Sequence, residues 1–276
     1  MSTASLCLES RYRKLVRGLP QTIFFCPVCK GDRRRRATCA HCHGRGKLSD
    51  DSVQELLGRR LLPAFRARTG KFHGAGREDI DVRMLGRGRP FVFEVVGPRR
   101  EDVDLRELLA RFHEEEGHRV RCDDFVVVDR RRVAELKEAQ HDKAYRVGIR
   151  VEGALDPTRV AALAGASFEV VQRTPQRVAH RRGDLLRARR VRIIELRAVP
   201  DDESGAQFEI DIETAHGTYV KEWVSGDDGR TQPSLGSLLC TAATCVRLDV
   251  LDILDGAVGA PDARRDTATA PIRIQN

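Results

Sequence analysis

Apolar residues recur at period two over many short stretches and at helical spacing over a few, a pattern that predicts a mixed α+β protein. Strands are expected where Ile80, Val82 and Met84 alternate with polar neighbours and where Phe91, Val92, Phe93 and Val95 crowd together. Gly86-Arg87-Gly88-Arg89 between them reads as a hairpin connection. Phe125 to Val128 reads as a buried strand from its unbroken apolar run. Further strands are expected at Lys143 to Val151, Phe168 to Val171, Val191 to Leu196, Phe208 to Ile212 and Val246 to Leu251. Helical spacing marks Asp51 to Arg68, Leu105 to Phe112 behind the N-cap Asp104, and Val133 to Ala139. Asp156-Pro157 starts another helix, with the acid as cap and proline at the first helical position. Thr218 can cap a short helix, and Leu235 to Leu239 is a helix or buried turn. Residues 1–23 form an amphipathic lead-in whose stripe is Tyr12, Leu15, Val16 and Leu19, and periodicity fades into a mobile tail from about Ala257. Strands and helices alternate irregularly, so the sheet is expected to be largely antiparallel with flanking helices.

Composition narrows the class. The 276 residues are 41% hydrophobic and 33% charged, as in a globular protein, and no apolar run reaches the roughly 18 residues that span a bilayer. The N-terminus shows no basic region followed by a long apolar core, so the expected location is the cytoplasm. Lys and Arg outnumber Asp and Glu by 49 to 41, mostly through arginine, whose fork matches phosphate oxygens. Such a balance fits a nucleic-acid partner, and equally a high-GC genome that encodes Arg for Lys. No 20–50-residue repeat, P-loop, Rossmann glycine signature, HExxH or Ser-His-Asp order is present.

Two chemical patterns stand out. Cys26-Pro27-Val28-Cys29 and Cys39-Ala40-His41-Cys42 put four soft thiolates within reach of one tetrahedral zinc, a closed shell with no open position for catalysis. His41 or His43 replacing a cysteine, or two adjacent disulfides, are the weaker readings. Arg33 to Arg36 between the pairs is either a phosphate grip or a solvated run. A second arginine group, Arg173, Arg177, Arg181 and Arg182 with His180, continues through Arg187, Arg189, Arg190 and Arg192. These charges would repel unless an anion lay across them, which suggests a phosphate track, with a solvated basic strand as the alternative. Cys240 and Cys245 read as buried apolar fillers.

The central stretch is Lys71 to Gly86, where Gly74 and Gly76 free the backbone and Asp79 stands where a loop enters a strand. Gly76-Arg77-Glu78-Asp79 resembles the Gly-Arg-x-Asp motif of pseudouridine synthases. Lys143-Ala144-Tyr145, Arg173 to Arg182, and Gly217-Thr218-Tyr219-Val220-Lys221-Glu222 with Gly229-Arg230-Thr231 to Gly236 follow in order. Together these segments resemble the archaeal and eukaryotic tRNA pseudouridine(54/55) synthases. The resemblance implies an α+β fold of the pseudouridine-synthase type, with a two-lobed, largely antiparallel sheet. It implies a small four-cysteine zinc module within residues 1–50, a catalytic domain over 51–255 with lobes at 66–140 and 141–255, and a tail at 256–276. It further implies a uridine-to-pseudouridine isomerase acting on a base flipped from tRNA, with Asp79 attacking or assisting at the ribose. Tyr145 would stack on the base, and Lys221 would pair with the catalytic aspartate. Arg77, Arg173, Arg177, His180, Arg181, Arg182 and Tyr219 would contact the RNA. Leu248, or else Val246, would pack beneath the base. The expected partner of this monomer is tRNA, with no membrane, no nucleotide and no cofactor beyond one structural Zn²⁺. Only 25 residues precede Cys26, too few for the RNA-binding THUMP domain of relatives. A zinc-containing RNA-binding protein without activity is the alternative, and a DnaJ-like chaperone a distant third.

Overall fold

In a computed structural model, residues 5–180, 182–199 and 205–256 are described, and the chain divides between Ala139 and Gln140 into two compact units. The expected tail lies outside the described residues.

In the first unit the expected lead-in is instead a strand, β1 (Ser5–Lys14), at the heart of the sheet. It pairs antiparallel with β3 (Arg83–Val96), whose far side takes β2 (Thr69–Gly74). On its other side lie β4 (Val120–Cys122) and β5 (Val126–Val128). The alternation in β1 is real but is carried by Ser10, Tyr12 and Lys14, which are buried while Glu9, Arg11 and Arg13 are half-buried.

Among its described residues this unit has four helices: α1 (Arg33–Arg36), α2 (Val53–Ala64), α3 (Leu105–Glu116) and α4 (Arg132–Glu138). Ser52 and Asp104 cap α2 and α3 through their side chains, which accept from the first free backbone N–H groups. Leu136 of α4 packs with Cys7 and Val92 on one face of the sheet, while Phe93 on the other face meets α2 at Gly58.

No hairpin forms at Gly86 to Arg89. The ladder jumps from Tyr12–Arg89 to Lys14–Met84, so residues 85–88 bulge from one continuous β3. Gly86 and Gly88 supply the positive φ angles of 54° and 78°, and the Arg11 guanidinium donates to the Arg87 and Gly88 carbonyls at 2.9 and 3.0 Å. A Cβ at Gly88 would stand 2.7 Å from the Tyr12 carbonyl oxygen, so only glycine fits. The expected burial of Phe125 to Val128 holds at Phe125 and in part at Val128, which packs against Cys7, Val92 and Leu136, but fails between them. Val126 and Val127 are each 58% exposed, because β5 adds to β1 at an uncovered position.

The second unit is an antiparallel sheet ordered β10-β7-β8-β9-β6-β11. Its strands are β6 (Asp142–Val151), β7 (Ser167–Arg173), β8 (Leu186–Ala198), β9 (Phe208–Thr214), β10 (Thr231–Gln232) and β11 (Ala243–Leu254). Its helices are α5 (Pro157–Leu163), capped by Asp156, α6 (Gln176–Ala179), α7 (Val220–Ser225) and α8 (Leu235–Leu239). Thr218 does not cap α7; its hydroxyl donates to the Ala215 carbonyl at 2.7 Å, and Tyr219 stands at the cap position. Trp223 of α7 is fully buried and anchors that helix on the sheet beside β11. Cys240 is exposed and Cys245 half-buried, so neither is the core filler expected. No described helix is long and apolar enough to cross a membrane.

Candidate active site

The Gly-Arg-x-Asp stretch lies on the loop 75–82 between β2 and β3, and β3 begins only at Arg83, three residues later than the alternation of Ile80, Val82 and Met84 suggests. Arg77 and Asp79 are exposed, whereas Glu78 between them is 6% exposed. The loop is shaped from below. The Ala75 carbonyl accepts from Arg89 Nη1 at 2.7 Å and the Gly76 carbonyl from Gln21 Nε2 at 3.1 Å. Lys14 Nζ donates to the carbonyls of Asp79 at 3.1 Å and Leu19 at 2.7 Å, and Arg17 Nη1 to that of Asp81 at 2.7 Å. Backbone bonds from Val82 N to the Asp79 carbonyl (3.1 Å) and from Gly18 N to the Ile80 carbonyl (2.9 Å) complete the clamp.

Glu78 is the hub of this arrangement. Its carboxylate accepts from the Tyr12 hydroxyl and from Arg89 Nε, each at 2.8 Å, and lies 3.7 Å from Lys14 Nζ. Gln21 Nε2 donates to the Tyr12 oxygen at 2.8 Å. The Tyr12 ring is itself held edge-on to Phe72 and Phe91, with centroids 5.9 and 5.8 Å away. Burial pushes the Lys14 ammonium below its ordinary pKa, and the Glu78 carboxylate pulls the other way. Burial also carries the Tyr12 phenol well above its usual range, and the Glu78 charge adds to the shift. One carboxylate and two cations thus share a dry site directly under the Asp79 backbone.

The remaining candidates lie in the second unit. Tyr145 is half-buried on β6 opposite Ile212 and Val250, and Leu248 is buried on β11 opposite Val147. Tyr145 and Leu248 therefore share one face as diagonal neighbours, while Val246 falls at a bulge between Cys245 and Arg247. Lys221 is half-buried in the first turn of α7.

Tyr219, Arg177 and Arg182 come together. The Arg177 guanidinium stands 6.0 Å from the centroid of the Tyr219 ring, and Arg182 Nη1 donates to the Tyr219 hydroxyl at 3.3 Å. Gln172 fixes the Tyr219 backbone by accepting from its N–H at 2.9 Å and donating to its carbonyl at 3.0 Å. His180 is exposed at the end of α6, and Arg181 lies outside the described residues.

The expected mutual repulsion of the arginine track is resolved largely within the protein. Arg173 pairs with Asp184 through both carboxylate oxygens, Arg177 with Glu222 at 2.5 Å, Arg190 with Asp142 at 3.1 Å and Arg192 with Glu213 at 3.8 Å. Among the described residues, Arg182, Arg187 and Arg189 face no carboxylate. The basic surface open to an outside anion is thus smaller than the arginine count suggests.

The sulfurs of Cys26, Cys29, Cys39 and Cys42 all lie within 4.8 Å of one another, and all four residues are buried. Four thiolates about 2.3 Å from a central zinc stand about 3.8 Å apart, and the Cys26–Cys39 and Cys29–Cys42 separations are 3.8 and 3.7 Å. The donor set therefore fits a four-coordinate metal. Gly46 N donates to Cys42 Sγ at 3.1 Å, one knuckle bond of the kind that steadies a thiolate.

The family model described as Pus10, C-terminal matches residues 7–254. The chain belongs to that family. Curated relatives of the Pus10 type include "tRNA pseudouridine synthase Pus10" of Methanothrix thermoacetophila, 42% identical over 94% of this chain and 55% of its own length. The protein of the same name from Methanopyrus kandleri is 42% identical over 90% of this chain and 56% of its length. That from Archaeoglobus fulgidus is 41% identical over 89% and 66%. The chain thus spans between half and two thirds of these relatives. Among solved structures, one chain of a Cbf5-Nop10-Gar1 complex aligns with a TM-score of 0.40 at 14% identity, over 73% of this chain and 45% of that one.

The residues that hold the loop of this Pus10-family chain, Tyr12, Lys14, Gln21 and Arg89, escape a reading by motif. They are scattered over three segments, and only Glu78 lies inside the motif. The local signal was partial: Tyr12 fell on the expected apolar stripe, but the buried alternation it belongs to runs through Ser10 and Lys14, whose polar types disguise it.

Proposed function

We propose that the chain is the catalytic part of an RNA pseudouridine synthase, an isomerase that converts uridine to pseudouridine in the T arm of tRNA, at position 54, 55 or both. The observation that carries this reading is the loop 75–82, which presents an exposed Asp79 beside a buried, charge-paired Glu78 and is held through its backbone by Lys14, Gln21 and Arg89. A carboxylate that acts at the ribose has to be held in place before substrate arrives, since misplacement by about an ångström can cost a hundredfold in rate. Relatives at 42% identity that are named tRNA pseudouridine synthases support the same reaction.

In this reading the target uridine leaves its stack and Asp79 acts at its ribose, so that the N1–C1′ bond breaks. The detached uracil turns and forms a C5–C1′ bond, and the C5 proton leaves while N1 gains one. The base released is the base recaptured, so no redox partner or cofactor enters. Tyr145 stacks on the base and takes part in moving the C5 proton, Leu248 packs beneath it, and Lys221 supplies the positive charge for the aspartate. Arg77, Arg177, Arg182, His180 and Tyr219 hold the RNA, and Arg173 shapes their loop through Asp184. The four cysteines hold one structural Zn²⁺, which supplies a fold constraint and no chemistry. A cytoplasmic monomer goes with this reading.

The test is an unmodified tRNA transcript, treated with wild-type protein or Asp79→Asn and mapped by a pseudouridine-specific chemical stop. The expected result is a stop at position 54 or 55 with wild type only, with RNA binding retained by the variant. Equal stops with Asp79→Asn would remove the aspartate from the mechanism. Binding without any stop would favour the non-catalytic RNA-binding alternative.

A further inference from the structure

The zinc segment carries a surface that the isomerase reading leaves unused. Phe24, Phe25 and Val28 are 43%, 53% and 52% exposed, an unusual grouping for large apolar side chains on so small a module. Beside them stands α1, four consecutive exposed arginines with no acid in its first turn. Asp32 caps that helix by accepting from the backbone N–H groups of Arg34 and Arg35, both at 3.0 Å, so the helix is fixed rather than a solvated coil.

Phe25 and Val28 adjoin the C-terminal half of α1, through Arg36 and Arg35. The Phe25 ring lies over Gly31, where an added Cβ would meet it at 2.5 Å, and Gly31 abuts Gly46, where a Cβ would meet Arg36 Cδ at 3.2 Å. Arg35 Nη2 donates to the Val28 carbonyl at 2.8 Å. Phe25 also bridges to Lys47, and Leu48 N donates to the Phe24 carbonyl at 2.8 Å, so both rings are rooted in the strand-like edges of the knuckle. Arg33 and Arg34 carry no side-chain bond among the described residues.

We propose that the zinc module is a docking site for unpaired RNA nucleotides, in which one base stacks on the exposed Phe25 ring while Arg33 and Arg34 take phosphates of the same strand. The inference rests on the reading that the chain acts on RNA. An exposed ring and exposed guanidiniums on one small module are the combination that single-stranded RNA uses, since every base has a π face and every nucleotide a phosphate. A protein partner would have to bring an acidic, aromatic-binding surface to match the same patch. Arg35, by contrast, is tied to the Val28 carbonyl, and the Arg36 side chain lies against Gly46.

The probe is a labelled T-arm hairpin transcript, with a fully paired RNA duplex for comparison, and affinity is read by fluorescence anisotropy over a salt series. Phe24→Ala/Phe25→Ala is expected to weaken hairpin binding about 5- to 150-fold without changing the salt slope, the range for one stacked base. Arg33→Gln/Arg34→Gln should lower the slope of log affinity against log salt by about 1.4, at about 0.7 per single-strand phosphate. The duplex should lose far less affinity with the Phe pair. Zinc content of each variant by metal analysis confirms that the module is still folded. Zinc-replete variants that bind the hairpin as wild type does would overturn the proposal. So would a Phe-pair variant that keeps its RNA affinity and loses only self-association in sedimentation, which would make the patch a protein interface. If wild type binds through these residues yet forms no pseudouridine, the isomerase reading fails and the docking site stands.

Discussion

Replacing Glu78 by Gln removes a buried carboxylate that faces two buried cations, Lys14 and Arg89. The Lys14 and Arg89 side chains are 0% and 1% exposed, and Glu78 lies 3.7 Å from one and 2.8 Å from the other. Stripping the partner from a buried pair costs about 3–5 kcal/mol, because the charge left behind loses its nearest counter-charge away from water. Set against a domain stability of about 5–15 kcal/mol, the change should be severe.

Lys14→Met provides the contrast. The Asp79 and Ile80 carbonyls keep their bonds from Val82 N and Gly18 N, and Glu78 keeps Arg89 and Tyr12. Only the Leu19 carbonyl loses its donor, a cost of about 1–3 kcal/mol, partly offset because no ammonium remains to be buried. Urea denaturation of both variants, followed by far-UV circular dichroism, checks the ranking. Fluorescence of the single tryptophan, Trp223, reports the second unit separately. A Lys14→Met penalty equal to or above that of Glu78→Gln, or a Glu78→Gln penalty under about 1 kcal/mol, would refute the view that Glu78 is the counter-charge of this cluster.

Two further outcomes follow from other parts of the molecule. Burial works to raise the Asp211 carboxyl, but the guanidiniums of Arg146 and Arg197, bonded to it at 2.9–3.2 Å, outweigh it and hold the group below the usual aspartate value. The stability it contributes is therefore present above the unfolded value of about 3.9 and is lost as pH falls through the folded one. Asp211→Asn should lower the urea midpoint at neutral pH and shrink the acid-induced drop, and an unchanged acid limb would count against the pairing. Chelation should remove about one zinc per chain and abolish hydrogen-exchange protection at Cys26, Leu48 and neighbouring amides of the knuckle. Full protection in metal-free protein would show that the cysteines pack without an ion.

Much of this architecture could be read locally. Asp104 and Asp156 cap helices where a short acid before an apolar run said they would, since capping involves only the next three residues. The cysteine cluster and the Gly-Arg-x-Asp loop were legible for the same reason. What escaped was long-range. Gly86 and Gly88 serve a hairpin or a bulge equally well, and the bulge won because β1 lies along both halves of β3. Arg173 and Arg177 appeared as open cations, although Asp184 and Glu222, 11 and 45 residues away in sequence, neutralise them.

By itself the sequence determined the four-cysteine cluster, the caps, the family motifs and the antiparallel α+β class, because each depends on residue type and short spacing. Tertiary structure alone decided that Lys14 lies in the core beside Tyr12 rather than at the surface. A buried lysine is stable only beside a counter-charge, and Glu78 becomes its neighbour only when β1 pairs with β3 and the Asp79 loop folds back over both.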